Sequence, residues 1–228
     1  MNCLLLDTAT EACSVALQWQ DKLISRFEVC PQQHSQRILP MVDEVLTEVN
    51  ADLSALDFIG FGRGPGSFTG VRIATGMLQG LALGANLPTV GVSTLAAMAQ
   101  QAIETYQAQD VFCAIDARMG EVYFAHYKAI DGLACLQGDE QVLPPVEATK
   151  LLAVATHAYG VGTGWAAYTE LDPSAQVKVA SDILYPDAKY MLPLAVALFK
   201  QGQAQPAAEM QPVYVRDTVT WKKLPGRE

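Results

Sequence analysis

Two short turns bring together the groups that phosphate chemistry uses. Asp7 ends an apolar run from Cys3 and is followed by Thr8, Ala9 and Thr10. Asp116 ends a second apolar run, "VFCAID", and is followed by Ala117, Arg118, Met119, Gly120 and Glu121. A carboxylate at a strand end, then hydroxyls and turn amides, could grip phosphate and magnesium in a cleft if two such hairpins faced each other. Asp7, Thr8, Thr10, Asp116, Arg118 and Gly120 are therefore the candidate cofactor-binding residues. Asp and Thr are ordinary turn residues, so the reading rests on the pair at matching positions.

The glycine-rich stretch "GRGPGSFTGVRIATGMLQG" is the other candidate for phosphate binding. It lacks the phosphate-gripping lysine of a P-loop, since Gly70 is followed by Val71 and Arg72. Gly64, Gly66 and Gly70 are spaced too widely for a dinucleotide loop. A loop entering a helix still offers free N–H groups to an anion, but packing is the preferred reading. Further along, Gly76, Gly80 and Gly84 recur every four residues and share one helix face. Each costs a helix about 1 kcal/mol relative to alanine, a loss tolerated where backbones must approach closely. That approach is either to another protein or to the chain's own sheet.

Other chemistries find little support. Five scattered cysteines with no C-x-x-C fit reduced, buried thiols. The three histidines, His34, His126 and His157, have no ligand spacing. His34 reads as a surface or capping group and His126 as structural. Ser67 has no evident histidine partner and no nucleophile elbow. In "GVGTGW", Thr163 reads as a helix cap in preference to a base-binding turn.

The elements that must position these residues follow from periodicity. Cys3–Asp7, the alternating stretch Cys13 to Trp19, and Leu23 to Val29 form three strands of a meander. A helix over 35–50 carries Ile38, Val42, Val45 and Val49 at helical spacing, with Leu39 and Leu46 alongside; Pro40 should kink it or mark its first turn. "DFIGFGRG" is a strand, "FTGVRIATGMLQGLALGA" a helix, "LPTVGVS" a strand and "TLAAMAQQAIETYQ" a helix. The first half thus reads βββαβαβα. Strand, Asp, turn, strand then recurs half a chain later, which suggests duplication. Val122 and Phe124 face one side of "EVYFAHYK", and Tyr123, Ala125 and Tyr127 the other. The second half is less regular: "PPVEATKLLAVA" and "KYMLPLAVALFKQG" are helices, "AYGVGTGW" a strand and turn, and "QPVYVRD" a late strand or extended arm. Residues 1–108 form the expected N-terminal domain and 109–228 a smaller C-terminal one, whose last helix is placed against the first.

The 228 residues carry a formal charge of −9. Such a surface repels nucleic acid, so unaided binding to it is not expected. No apolar run is long enough to span a bilayer, and the start lacks the pattern of a signal peptide. The expected location is cytoplasmic.

The segments "LLLDTAT", "HSQRILP", "GPGSFTGVRIATGMLQGLALG" and "DARMGEVYFA" resemble the bacterial TsaB (YeaZ) family over nearly the whole chain. The glycine-loop helix and "DARMGEVY" are the specific parts. The resemblance implies an α/β, two-lobed actin/sugar kinase/Hsp70-like (ASKHA) fold with a duplicated βββαβαβα-type domain and a reduced second lobe. It implies a role in forming N6-threonylcarbamoyladenosine (t6A) in tRNAs that read ANN codons. In that pathway one enzyme makes threonylcarbamoyl-adenylate, the paralogue TsaD transfers the group to tRNA, and TsaE is an ATPase partner. The family member is a non-catalytic scaffold: a homodimer alone, a partner of TsaD in the complex, and in touch with tRNA only through that complex.

The resemblance also implies which residues matter. The helix after "GPGSFTG" and the first helix make the family's interface, so Ile38, Val42, Val45, Phe68, Arg72, Ile73, Gly76, Met77, Gly80 and Gly84 are the interface candidates. The H-x-x-x-H metal motif of the catalytic paralogue falls on Thr94 and Met98, neither a ligand for a hard cation. No cofactor is then expected on the chain alone; ATP or ADP, if bound, belongs at the complex interface, and the two hairpins are vestigial. The main rival is a stand-alone ATPase or small-molecule kinase of the same fold, which the paired hairpins support. A glycoprotease, an old label for the family, has no metal pair or triad behind it.

Overall fold

The computed structural model describes residues 1–152 and 157–216. It contains two five-stranded sheets with the same wiring. In the first, β1 (Cys3–Asp7), β2 (Ala12–Trp19) and β3 (Lys22–Val29) form an antiparallel meander, while β4 (Phe58–Gly62) and β5 (Thr89–Val92) add in parallel beyond β1. In the second, β6 (Asp110–Asp116), β7 (Val122–Ile130) and β8 (Leu133–Leu143) repeat the meander, and β9 (Tyr159–Val161) and β10 (Lys178–Val179) repeat the parallel additions. The strand orders β3-β2-β1-β4-β5 and β8-β7-β6-β9-β10 therefore match position for position. Asp7 and Asp116 end equivalent strands. The second sheet is the reduced one: β9 and β10 have three and two residues.

Helices fall at matching points. They are α1 (His34–Glu48), α2 (Phe68–Ala85), α3 (Thr94–Tyr106), α4 (Pro145–Leu151), α5 (Gly164–Ala167) and α6 (Leu192–Lys200). Among the described residues none is long and apolar enough to cross a membrane. Local chemistry fixes their ends. Ser67 and Ser93 accept backbone N–H bonds at the starts of α2 and α3, and Asn86 and Gln107 close them in the left-handed region. The helix α1 runs through Pro40, its N-cap at Gln33 two turns earlier. Pro40 is thus not in the first turn; it sits on the exposed face, where the carbonyl that loses its helical donor can meet water.

One apolar core lies between the sheets. It joins β1, β4 and β5 of the first sheet to β6 and β7 of the second through α3 and α6. Phe199 of α6 stacks on Phe58 of β4 with centroids 4.6 Å apart. A second core lies on the outer side of the first sheet, beneath α1 and α2. A third lies on the far side of the second sheet, where Val122 and Phe124 point, while Ala125 and Tyr127 face the shared core.

The second half departs from the sequence reading at several points. Strand β8 was not expected. The last three residues of the "PPVEATKLLAVA" helix, 153–155, lie outside the described residues, as does Asp217 of the "QPVYVRD" segment; the described part of that segment is an extended arm, not a strand. The arm lies along α2, with Gln79 donating to the Met210 carbonyl and the Val213 N–H to the Arg63 carbonyl.

Candidate functional site

The glycine loop between β4 and α2 lies directly on the β1–β2 hairpin. A Cβ at Gly70 would stand 2.1 Å from the Thr8 carbonyl oxygen, and one at Gly66 would stand 2.3 Å from that of Ala9. Only glycine permits that approach. The Ser67 N–H then donates to the Ala9 carbonyl at 2.7 Å, and the Thr8 hydroxyl donates to the Gly70 carbonyl at 2.7 Å. The Ser67 hydroxyl caps α2. The Ser67 and Gly70 amides are therefore engaged by the chain itself.

The side chains of the first hairpin are turned inward as well. Asp7 and Thr8 are fully buried, and Thr10 nearly so. The Asp7 carboxyl accepts from the Ala9 N–H at 2.8 Å and from the Thr94 hydroxyl at 3.3 Å. It is packed so closely against β4 that a Cβ at Gly62 would overlap it. Burial pushes its pKa up to about 7, against the opposing effect of the hydrogen bonds from Ala9 and Thr94. The sequence reading aimed Asp7, Thr8 and Thr10 at a cofactor; the structure folds them under the glycine loop.

The second hairpin turns on three successive residues with left-handed backbone: Arg118 (φ 63°), Met119 (φ 61°) and Gly120 (φ 78°). Two of them are not glycine, a conformation costing of order 1 kcal/mol or more each. Asp116 stabilises the turn by accepting the Arg118 N–H at 2.8 Å, and it also accepts the Tyr168 hydroxyl at 2.9 Å. The Arg118 guanidinium donates to Asp116 at 3.0 Å and, across the gap between the hairpins, to Glu11 at 3.0 Å. The two hairpins do face each other as the duplication suggested, but an arginine of the chain bridges them.

The positions matched to the paralogue's metal motif are both fully buried: Thr94 bonds Asp7, and Met98 lies in the shared core. Among the described residues, no group of three or more His, Cys, Asp or Glu could hold a metal ion. The "GVGTGW" turn is filled by its own tryptophan, since a Cβ at Gly160 would stand 2.7 Å from the Trp165 ring. Thr163 stands at the N-cap of α5 without capping it; its hydroxyl accepts the Asp116 N–H instead. His34 is a buried first residue of α1 whose Nε2 has no partner among the described residues, not a surface or capping group. His126 is structural, stacked on Phe112 and bonded to Asp110 at 2.7 Å.

The outward face of α2 is the opposite of the loop. Cβ atoms at Gly76, Gly80 or Gly84 would meet nothing within 4 Å among the described residues. Beside these glycines stand Phe68 and Leu83, 56% and 65% exposed, and the half-buried Ile73 and Met77. Arg72 is not a freely solvated charge. Its guanidinium lies 3.6 Å from the Phe68 ring centroid, and its Nε donates to the Tyr214 hydroxyl at 2.8 Å.

The α1 half of the expected interface requires correction. Ile38, Val42 and Val45 are buried in the core beneath the helix and present nothing to a partner. What α1 exposes next to them is Leu39, Pro40, Asp43 and Thr47. The apolar period marks the face the fold buries, and the outer face is what remains.

Residues 27–223 match the family model described as TsaD, tRNA N6-adenosine threonylcarbamoyltransferase. A protein of Escherichia coli (strain K12) named tRNA threonylcarbamoyladenosine biosynthesis protein TsaB is 47% identical, with all of both chains covered. A protein of the same name from Haemophilus influenzae is 46% identical, covering all of this chain and 99% of its own. The solved structure of YeaZ from Pseudomonas aeruginosa superposes with a TM-score of 0.86 at 45% identity, over 93% of this chain and 99% of that one.

Proposed function

Because the chain belongs to the TsaB (YeaZ) family of tRNA threonylcarbamoyladenosine biosynthesis proteins, we propose that it is the non-catalytic subunit that docks and activates TsaD. The single observation that carries the docking part is the open glycine face of α2. Three glycines cost this helix about 1 kcal/mol each, and nothing in the packing of the described residues needs them. The four glycines of the preceding loop and strand end, by contrast, have internal neighbours. A partner backbone lying close along Gly76, Gly80 and Gly84 gives the helix glycines their reason. Phe68, Ile73, Met77 and Leu83 supply apolar area around that line, with Leu39 from α1 at its side.

The same face serves two assemblies. A second copy occupies it when the chain is alone, and TsaD, built on the same fold, displaces that copy. A shared seam is expected where related folds present equivalent helix pairs.

The non-catalytic part rests on the hairpins. A nucleotide-hydrolysing site needs free amides, an ionised carboxylate and room for phosphate and metal. Here Asp7 is sealed with its pKa raised, and Arg118 bridges to Glu11. These features weigh against the stand-alone ATPase or kinase. ATP or ADP then acts at an interface shared with TsaD and TsaE. The acidic chain leaves the grip on tRNA to its partners.

Reconstitution tests the proposal. With the adenylate-forming enzyme, TsaD, TsaE, ATP and tRNA present, omitting this chain should abolish tRNA modification. Undiminished modification without it would refute the subunit role. Nucleotide hydrolysis by the isolated chain that is lost in Arg118→Ala or Asp7→Asn would favour the ATPase.

A further inference from the structure

A cavity of about 460 Å³ lies away from both hairpins, between the edge strand β5 of the first sheet, β8 of the second and α6. That volume is within the range of small-molecule sites. Leu133, Leu136 and Leu198 line it with apolar surface, and two charges, Arg63 and Glu140, stand in its wall.

The Glu140 side chain is only 7% exposed. Its Oε1 accepts the Tyr127 hydroxyl at 2.6 Å and the Ser93 hydroxyl. Its Oε2 accepts no hydrogen bond among the described residues, and the nearest cation, a terminal nitrogen of Arg63, is 3.6 Å away. A buried carboxylate normally has its oxygens paired with donors. One oxygen is thus fixed by two hydroxyls while the other is left for a donor in the cavity.

The β7–β8 pairing is irregular where Glu140 stands. Phe124 of β7 pairs with Gln141 and His126 with Gln137, so Gly138, Asp139 and Glu140 stand opposite Ala125 alone. A bulge of this kind breaks the regular alternation and redirects a side chain, and bulges are over-represented beside functional sites. Gly138, with φ 81°, supplies the conformation it needs.

We propose that this cavity binds a zwitterionic aliphatic α-amino acid. The ammonium group donates to Glu140 Oε2, the carboxylate accepts from the Arg63 guanidinium, and the side chain lies against the leucines. The ammonium and carboxylate of an α-amino acid flank a single carbon, so they fit head to tail against an anion and a cation 3.6 Å apart. Each ligand pole meets the opposite charge, and neither protein charge is left unpaired when water is displaced. The proposal does not depend on how the chain docks TsaD.

Calorimetric titration of the full chain with leucine, to about 10 mM so that a site as weak as ~1 mM is seen, tests it. Leucine should bind. Leucinamide, which lacks the carboxylate, and isocaproate, which lacks the ammonium, should each bind at least about tenfold more weakly. Glu140→Gln keeps an acceptor for Ser93 and Tyr127 and should also weaken leucine by about tenfold or more. Ala197→Phe should fill the cavity from α6 and abolish binding while leaving both charges in place; melting curves check that the variants fold. Absence of leucine binding to the wild type overturns the proposal. So does equal binding of leucinamide or isocaproate, and so does wild-type affinity in a folded Ala197→Phe variant.

Discussion

Arg118, on the hairpin of the second sheet, donates to Glu11, on the hairpin of the first, at 3.0 Å. This one contact joins the two turns that the sequence offers as a phosphate clamp. The arginine also holds Asp116 at 3.0 Å, so a single guanidinium pairs with a carboxylate from each hairpin.

The contact should bridge the sheets without adding much stability, because the two side chains are 73% and 37% exposed. A double-mutant cycle over Glu11→Ala and Arg118→Ala should give a coupling of about 0.2–1 kcal/mol that shrinks as salt is raised. A salt-independent coupling of more than about 2 kcal/mol would mean that the pair behaves as a buried one.

Glycine-to-alanine substitutions should have opposite signs on either side of Gly70. At Gly76, Gly80 and Gly84 a methyl group meets open space, so alanine should stabilise the isolated chain by about 0.5–1 kcal/mol each through helix propensity. At Gly70 and Gly66 it would be forced onto carbonyl oxygens, and alanine should destabilise by about 1–3 kcal/mol as the hairpin and loop separate. Denaturant melts of each alanine variant and the wild type, at concentrations low enough that the chain runs as a monomer, decide this. Destabilisation at the helix glycines would show that the chain's own packing needs them, and the docking argument would fail.

Asp7 should make stability depend on pH. Its folded pKa is raised to about 7 from 3.8. The folded state therefore holds this proton more tightly than the unfolded state. The resulting contribution is fully present below pH 3.8 and is lost as the pH rises through about 7. Asp7→Asn can keep the hydrogen bonds to Ala9 and Thr94, and it should flatten that part of the profile. Identical pH profiles for the variant and the wild type would show that Asp7 does not carry the effect.

The first half of the chain was legible because its signals are local. Alternation in β2, the serine caps of α2 and α3, and the apolar run of β1 each decide a short segment on its own. Strand β8 was not legible, since Gly138 and the polar residues around it break the alternation just where the bulge absorbs the extra residues. The hairpin residue types were legible, but their inward placement was not. Burial of Asp7 and Thr8 depends on a loop some sixty positions away, and no local pattern announces it. The glycines show the same limit. Gly66 and Gly70 look like Gly76, Gly80 and Gly84 in sequence, yet the first two pack on the chain's own backbone while the last three meet nothing within 4 Å among the described residues. On α1 the periodicity identified Ile38, Val42 and Val45 correctly as apolar and in register, but that register faces the core.

Direct binding of TsaD to the wild-type chain and to Gly80→Leu tests the central claim most directly. A leucine at position 80 meets no atom of the described residues within 4 Å at the Cβ, so the variant should fold, as far-UV circular dichroism would check. Sedimentation of each with TsaD should show a complex for the wild type. For Gly80→Leu it should show separate species, with the variant alone running as a monomer. A Gly80→Leu variant that binds TsaD as tightly as the wild type would contradict the account.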